Sequence, residues 1–285
     1  MQLTVERARA VTLQKPWGVS DLLPWSSAKV DGSAVGEIWF ERSSRTAEDP
    51  SLLLKLLFTS QPLSIQVHPS DSYAQSIGLP NGKTEAWYVL SAAPGAKVAL
   101  GVKEEITPPQ LRSAIESGKL PGIVHWRPVT AGDTIFVPAG TIHAIGAGLV
   151  IAEIQQRSDL TFRMFDYGRQ RELHIENAIA VADTSPADIR AQPKRLTDQR
   201  TALVSGPYFV FESIDLTPNS AWSLEAEHET WLLVVKGSAR VGTSNIIIGD
   251  AIFAESESVE IRAGPFGMQA LVAYADTKPA AALLQ

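Results

Sequence analysis

Short apolar runs, each closed within a few residues by Gly, Pro, Asn or Asp, recur along almost the whole of this sequence. "SIQVHP", "EAWYVL", "AKVALGV", "TIFVPA" and "LVIAEIQQ" are rich in Val, Ile and aromatic residues, and "YFVFESIDL", "TWLLVVKGSARV", "NIIIGDAIFA" and "MQALVAYA" continue the pattern. Side chains of these types pack well on a pleated surface, and the punctuation keeps the runs short. Many short strands separated by turns predict a mostly β protein, a sandwich or a barrel. At 285 residues the chain can form one large β domain or two modest ones.

Helices are few. Thr107 is placed as an N-cap, Pro108 takes the first helical position and Gln110 completes a capping box, which predicts a helix from about Pro108 to Ser117, ended by Gly118. A second helix is expected in "LHIENAIAVAD", about residues 173–183, and a short helical turn after Asp71, ending at Gly78. Residues 183–200 are polar, contain two prolines and read as a linker. It would join a larger N-terminal unit, residues 1–182, to a smaller C-terminal one, residues 201–285. "VTAGDTIFVPAGTIHAI" and "SNIIIGDAIFAESESVEI" look like two versions of one hairpin, which suggests two related β barrels.

Composition narrows the chemistry. A net charge of −6 argues against a nucleic-acid or acidic-membrane partner. There is no cysteine, so disulfides and thiolate metal sites are excluded, and any metal must be held by His, carboxylate or amide oxygen. The N-terminal "MQLTVERARAVTLQKPWG" lacks a signal-type apolar region, and no uncharged apolar run reaches the roughly 18 residues that span a bilayer. The expectation is a soluble, cytoplasmic protein with no membrane partner, a monomer or a homodimer.

Two strand-like runs carry polar residues two apart. Gln66 and His68 lie in "LSIQVHPSDSYA", Lys83 and Glu85 in "GKTEAWYVL". Side chains of a strand alternate, so each pair shares a face, pointing to solvent or into a shared cavity.

"GDTIFVPAGTIH", Gly132 to His143, has the glycine, Pro-x-Gly and histidine spacing of the second cupin motif. "QVHPSD", "GKTEAWYVL", "GDTIFVPAGTIHAIG", "IAEIQQRSDLTFRMFDYGR" and "LHIENAI" follow in order, with "KPWG" and "GEIWF" before them. Together they resemble the short bacterial form of the type I mannose-6-phosphate isomerases, over roughly the first two-thirds of the chain. The resemblance implies double-stranded β-helix (cupin) barrels, two cupin-like units with a few short helices, the second degenerate and without metal. It implies a sugar-phosphate substrate and isomerisation of mannose 6-phosphate to fructose 6-phosphate by proton transfer between C1 and C2. It also implies one Zn²⁺ per chain, with other divalent ions as alternatives, held by Gln66, His68, Glu85 and His143. Two imidazoles, a carboxylate and an amide oxygen suit such an ion. Gln66 can instead hydrogen-bond a bound water.

The reaction needs a base, charge stabilisation and a grip on phosphate. Arg163 matches the arginine that the family places over the active site, where it can stabilise an enediolate or bind substrate. Lys83 can bind substrate oxygens or shuttle protons, its pKa lowered by the metal, or simply pair with Glu85. Glu153 matches an acidic active-site residue, either the base or a carboxylate supporting a ligand histidine. Ser64 is a candidate substrate contact. His125, His174 and His228 are expected to be structural or solvated, Arg157 and Arg169 solvated, and Trp87, Tyr88, Phe136 and Phe162 core. No glycine-rich phosphate cradle occurs, so the grip has to come from dispersed basic residues. Two other functions fit the same residues: a cupin iron oxygenase on His68, Glu85 and His143, and a sugar-phosphate binder without turnover.

Overall fold

The strand Leu52–Thr59 is buried at every position, and its alternation explains how the molecule is layered. Leu52, Leu54, Leu56 and Phe58 enter one core, whereas Leu57 enters another. Strands buried on both faces lose the polar alternation of an exposed sheet, which is why "LLLKLLFT" reads as a continuous apolar run. Its lysine, Lys55, lies on the Leu57 side. The computed structural model describes residues 4–28, 33–44, 49–187 and 191–285.

Leu52–Thr59 belongs to a six-stranded sheet in the order Arg9–Val19, Val35–Glu41, Leu52–Thr59, Leu149–Gln156, Glu85–Ala92, Thr134–Val137. A five-stranded sheet faces it, in the order Phe162–Phe165, Ile65–Val67, His143–Ile145, Lys97–Val102, Val124–Pro128. All the named pairings are antiparallel. Between the two sheets lie Leu57, Trp87, Val89, Val98, Val137, Ile145 and Ile151. Helices cover the outer face of the five-stranded sheet, where Leu111, Ile115 and Ala178 pack on Ile65, Val67 and Met164.

The remaining strands form a nine-stranded sheet, with its own interior around Val210, Ile214, Leu232, Val234, Ile252 and Val272. Its other face closes on the six-stranded sheet: Phe211, Trp231, Phe253 and Leu271 meet Ile38, Phe40, Leu54 and Phe58. The protein is thus mostly β, as the sequence predicts. One connection was not predicted. The N-terminal strand Thr4–Arg7 pairs with Ala251–Glu255 and so joins the sheet of the C-terminal region.

After the short helix Asp71–Ser76, the helix Pro108–Glu116 has the expected capping box: Thr107 Oγ1 accepts the Gln110 N–H, and Gln110 Oε1 accepts the Thr107 N–H at 2.7 Å. Gly118 ends it at φ +69°, a conformation that other residues adopt only with strain. The later helix is shorter than expected, Ile175–Val181. His174 is held outside it because its Nδ1 accepts the Arg163 N–H at 3.1 Å, and Asp183 leaves it to bridge Thr141. Of the expected linker, residues 188–190 lie outside the described residues, and Lys194–Arg195 pairs with Arg200–Ser205. Among the described residues no helix is long and apolar enough to cross a membrane.

Candidate metal centre

Three strand ends converge at the mouth between the facing sheets. Gln66 lies in Ile65–Val67 with His68 directly after it, Glu85 opens Glu85–Ala92, and His143 opens His143–Ile145. Register places Gln66 opposite His143. The "PAGT" turn is tied to the end of Ile65–Val67 by Gly140, at φ +89°, whose N–H donates to the His68 carbonyl at 2.8 Å. Gly82 is pressed against the next loop so closely that a Cβ there would stand 2.2 Å from the Pro69 carbonyl oxygen. Any side chain at that position would push Lys83 and Glu85 away from His68.

His68, Glu85 and His143 each offer one ligand atom, and these atoms all lie within 4.8 Å of one another. His68 Nε2 stands 3.4 Å from Glu85 Oε2, and His143 Nε2 stands 3.5 Å from Glu85 Oε1. Donors around a tetrahedral ion with bonds of about 2.0–2.2 Å are separated by about 3.3–3.6 Å, so this set fits. Each imidazole is also oriented for the task. The Nδ1–H of His68 donates to the Leu160 carbonyl and that of His143 to the Thr141 carbonyl, both at 2.9 Å, which leaves Nε2 of each as an inward lone pair. Burial pushes His68 down to about 3, helped by the Lys83 charge, and lowers His143 too, so both rings are neutral at ordinary pH. Glu85 Oε2 is buried, with the Lys83 ammonium beside it. Gln66 is close by as well: its amide nitrogen lies 3.3 Å from His143 Nε2, while its Oε1 accepts from Ser64. The protein therefore carries a His–Glu–His group suited to a divalent metal.

Lys83 and Glu153 reach the same place. Lys83 Nζ stands 2.8 Å from Glu85 Oε2, 3.1 Å from His68 Nε2 and 4.0 Å from Glu153 Oε1. Burial alone would lower its pKa, but Glu85 and Glu153 outweigh that and hold the ammonium above its ordinary value. The same lysine, against the opposing effect of burial, keeps Glu85 ionised well below the carboxylate range. Glu153 is the reverse case: burial and the neighbouring Glu85 charge push it up to about 7. Trp87 is core, as expected, but its indole N–H also donates to Glu85 and Glu153, at 3.1 Å each.

Sequence reading missed the next layer. Lys55 is directly opposite Glu153 in register and its Nζ lies 3.5 Å from Oε1. Glu37 pairs with Lys15 at 3.2 Å and accepts the Trp39 N–H at 2.7 Å. A lone lysine inside "LLLKLLFT" was the available signal, since a buried strand tolerates a charge only beside a partner. Together with Trp17, Ser64, Gln66, Asp159, Arg163 and Arg171, these groups line one cavity of about 190 Å³. Ser64 donates to Gln66 at 2.9 Å, and Arg163 lies opposite Gln66 in register. Among the other histidines, His125 and His228 line separate clefts and His174 caps the later helix. Arg157 donates to the Pro50 carbonyl at 2.7 Å; Arg169, rather than being free in solvent, pairs with buried Asp166 at 3.0 Å.

No family model matches the sequence. The mannose-6-phosphate isomerase of Streptococcus mutans is 42% identical over 170 residues, covering 55% of this chain and 52% of that protein. ManA, a mannose-6-phosphate isomerase of Bacillus subtilis, is 34% identical over 67% of this chain and 63% of its own length. The matches thus span about half to just under two-thirds of these curated relatives. Among solved structures, the mannose 6-phosphate isomerase from Bacillus subtilis superposes with a TM-score of 0.83 at 24% identity, covering 96% of this chain and 100% of that one. A point mutant of phosphomannose isomerase from Salmonella typhimurium gives 0.75 at 16% identity, over 95% and 99%. The chain thus shares this fold over nearly its whole length, and over more than half of it its sequence is similar to mannose-6-phosphate isomerases of Streptococcus mutans and Bacillus subtilis.

Proposed function

We propose that this protein is a zinc-dependent aldose–ketose isomerase that interconverts mannose 6-phosphate and fructose 6-phosphate. The observation that carries the reading is the meeting of Glu85 and His143 with Lys83, Glu153 and Arg163 in a single cavity, with His68 against Glu85 and Lys83 just behind its wall. The histidines, Glu85 and Gln66 would hold one Zn²⁺ per chain. When bound, the ion polarises sugar oxygens and steadies negative charge.

The chain's own residues divide the proton chemistry. Glu153, at about 7, is the group poised to take the C2 proton of the aldose and return it to C1. Lys83 is an ammonium, so it serves as a donor to a sugar oxygen rather than as the base. Arg163 lends a fixed charge to the enediolate, and Ser64 orients Gln66. A His–Glu–His set alone would also serve an iron oxygenase; the lysines and arginines on the same wall favour an anionic sugar. We further propose a metal-bearing unit over residues 1–182 and a metal-free one over residues 201–285. A cytoplasmic location is in keeping with the cysteine-free composition.

A coupled assay for fructose 6-phosphate, run on chelated protein with and without Zn²⁺, tests this reading. Turnover that appears only with metal is expected. Metal binding without turnover on any divalent ion would overturn it in favour of a binder, and oxygen consumption with Fe²⁺ in favour of an oxygenase.

A further inference from the structure

A second cleft, of about 830 Å³, opens where the two facing sheets part. Its walls come from the edge strands Val124–Pro128, of the five-stranded sheet, and Thr134–Val137, of the six-stranded one. Among the described residues none that lines it also lines the metal cavity. The two are nevertheless close: Leu100, in the cleft, lies opposite His143 in register, and Ile135 lies opposite Trp87. Nothing in the isomerase reading uses this space.

The lining joins two kinds of surface. Val98, Leu100 and Ile135 come from the core between the sheets, yet they border open space. Apolar atoms that face a gap forfeit packing, and they regain it when an apolar body fills the space. Beside them stand two polar groups with unmet hydrogen bonds. Arg127 donates from Nη2 to the Ala187 carbonyl at 2.6 Å, but its Nε is buried without an acceptor. Its Nη1 has no protein acceptor either, and among the described residues no carboxylate lies within ion-pair distance of this guanidinium. The Thr134 hydroxyl is likewise buried without a partner. The carboxylate on the same wall, Asp133, is already engaged: it accepts the Thr130 N–H at 2.7 Å and the Thr130 hydroxyl at 3.2 Å. Unpartnered buried donors are costly, and these two call for a group that accepts from both.

We propose that this cleft is a second binding site, for a small organic acid, with its carboxylate on the Arg127 guanidinium and the Thr134 hydroxyl and a compact apolar body against Val98, Leu100 and Ile135. Three features select that class. The volume falls within the roughly 300–1,000 Å³ of small-molecule sites. Arg127 brings one unneutralised charge, and guanidinium N–H groups match carboxylate oxygens. Asp133 repels a dianion, which sets a monocarboxylate ahead of a phosphate monoester. The site does not depend on what the metal centre does.

The test is calorimetry on metal-loaded wild type and Arg127→Gln with phenylacetate, 2-phenylethanol and phenethylammonium, three probes with one ring and different head charges. Phenylacetate is expected to bind wild type about tenfold more tightly than the other two, and to lose that advantage in Arg127→Gln. Equal affinity for all three probes, or wild-type affinity for phenylacetate in Arg127→Gln, would overturn the site. So would the absence of saturable binding up to about 10 mM. A carboxylate can also sit on a bound metal, so the titration is repeated on chelated protein. Affinity kept there supports the cleft; affinity lost places the acid on the metal and removes the proposal. Should Arg127→Gln fail to fold, 4-bromophenylacetate soaked into wild-type crystals decides. A bromine anomalous peak between Val124–Pro128 and Thr134–Val137 supports the site, and a peak only elsewhere, or none, removes it.

Discussion

Glu85 and Glu229 occupy the same local setting in two regions of the molecule. Each is buried, Glu85 opens an apolar strand and Glu229 directly precedes one, and each accepts the indole N–H of the tryptophan two residues on, Trp87 at 3.1 Å and Trp231 at 2.9 Å. What arrives from other strands differs. Glu85 meets two imidazoles and an ammonium. Glu229 instead accepts the Ser51 N–H and hydroxyl at 2.6 Å each and the Leu52 N–H at 2.9 Å. It pins the start of Leu52–Thr59 to the nine-stranded sheet. The same Glu-x-Trp pattern thus makes a candidate metal ligand in one place and a structural clasp in the other, and the cross-strand neighbours decide which.

The largest expected break in this comparison comes from Glu85→Gln set against Glu229→Ala. Glu85→Gln should weaken metal binding by well over the roughly 100-fold that marks loss of a supporting group, and turnover should fall with it. Glu229→Ala should keep its metal but lose about 3 kcal/mol of stability, because the Ser51 N–H and hydroxyl, the Leu52 N–H and the Trp231 indole all lose their acceptor. Metal content and urea unfolding read the two outcomes; a Glu229→Ala protein without metal would mean that the regions are not separable.

A smaller effect is expected at Gln155. Its amide donates to the Ser158 carbonyl at 2.6 Å and so holds the loop whose Leu160 carbonyl orients His68. Gln155→Leu should weaken Zn²⁺ affinity by about tenfold while the fold stays intact. Unchanged affinity in a titration against a chelator would show that the loop holds itself.

Acid sharpens the contrast further, with the smallest effect near neutrality. In the metal-free protein the His68 imidazole is pushed down to about 3 from an ordinary 6.5. Between those values the unfolded chain binds a proton that the folded protein refuses, so this term weakens stability as pH falls through that window. The urea midpoint of chelated protein should decline below about pH 6.5, and adding Zn²⁺ at pH 6 should raise it. A midpoint that rose on acidification would contradict the neutral, buried ring.

The candidate metal group His68, Glu85 and His143 was legible in the sequence because each sits in a spaced motif, and strand alternation already puts Gln66 with His68 and Lys83 with Glu85. Lys55 and Arg171 were not. Lys55 matters only because its strand lies next to the one bearing Glu153, and register between distant strands is a tertiary fact. Arg171 is placed by Asp166 and Trp17, of which Trp17 lies far away in the chain. The mostly β class and the Thr107 cap could be read directly, since local chemistry decides both. The pairing of Thr4–Arg7 with Ala251–Glu255 could not, since nothing in "TVER" specifies its partner.

That pairing bears on how the molecule is made. The strands from Arg9–Val19 to Ser244–Ile247 are all synthesised after Thr4–Arg7 and before Ala251–Glu255. Thr4–Arg7 must therefore wait, without this partner, while they are made before its edge is covered. The first region can close its facing sheets while still tethered, but the join between Thr4–Arg7 and the nine-stranded sheet comes only once Ala251–Glu255 has been made. A chaperone that shields short exposed strands would find its client there.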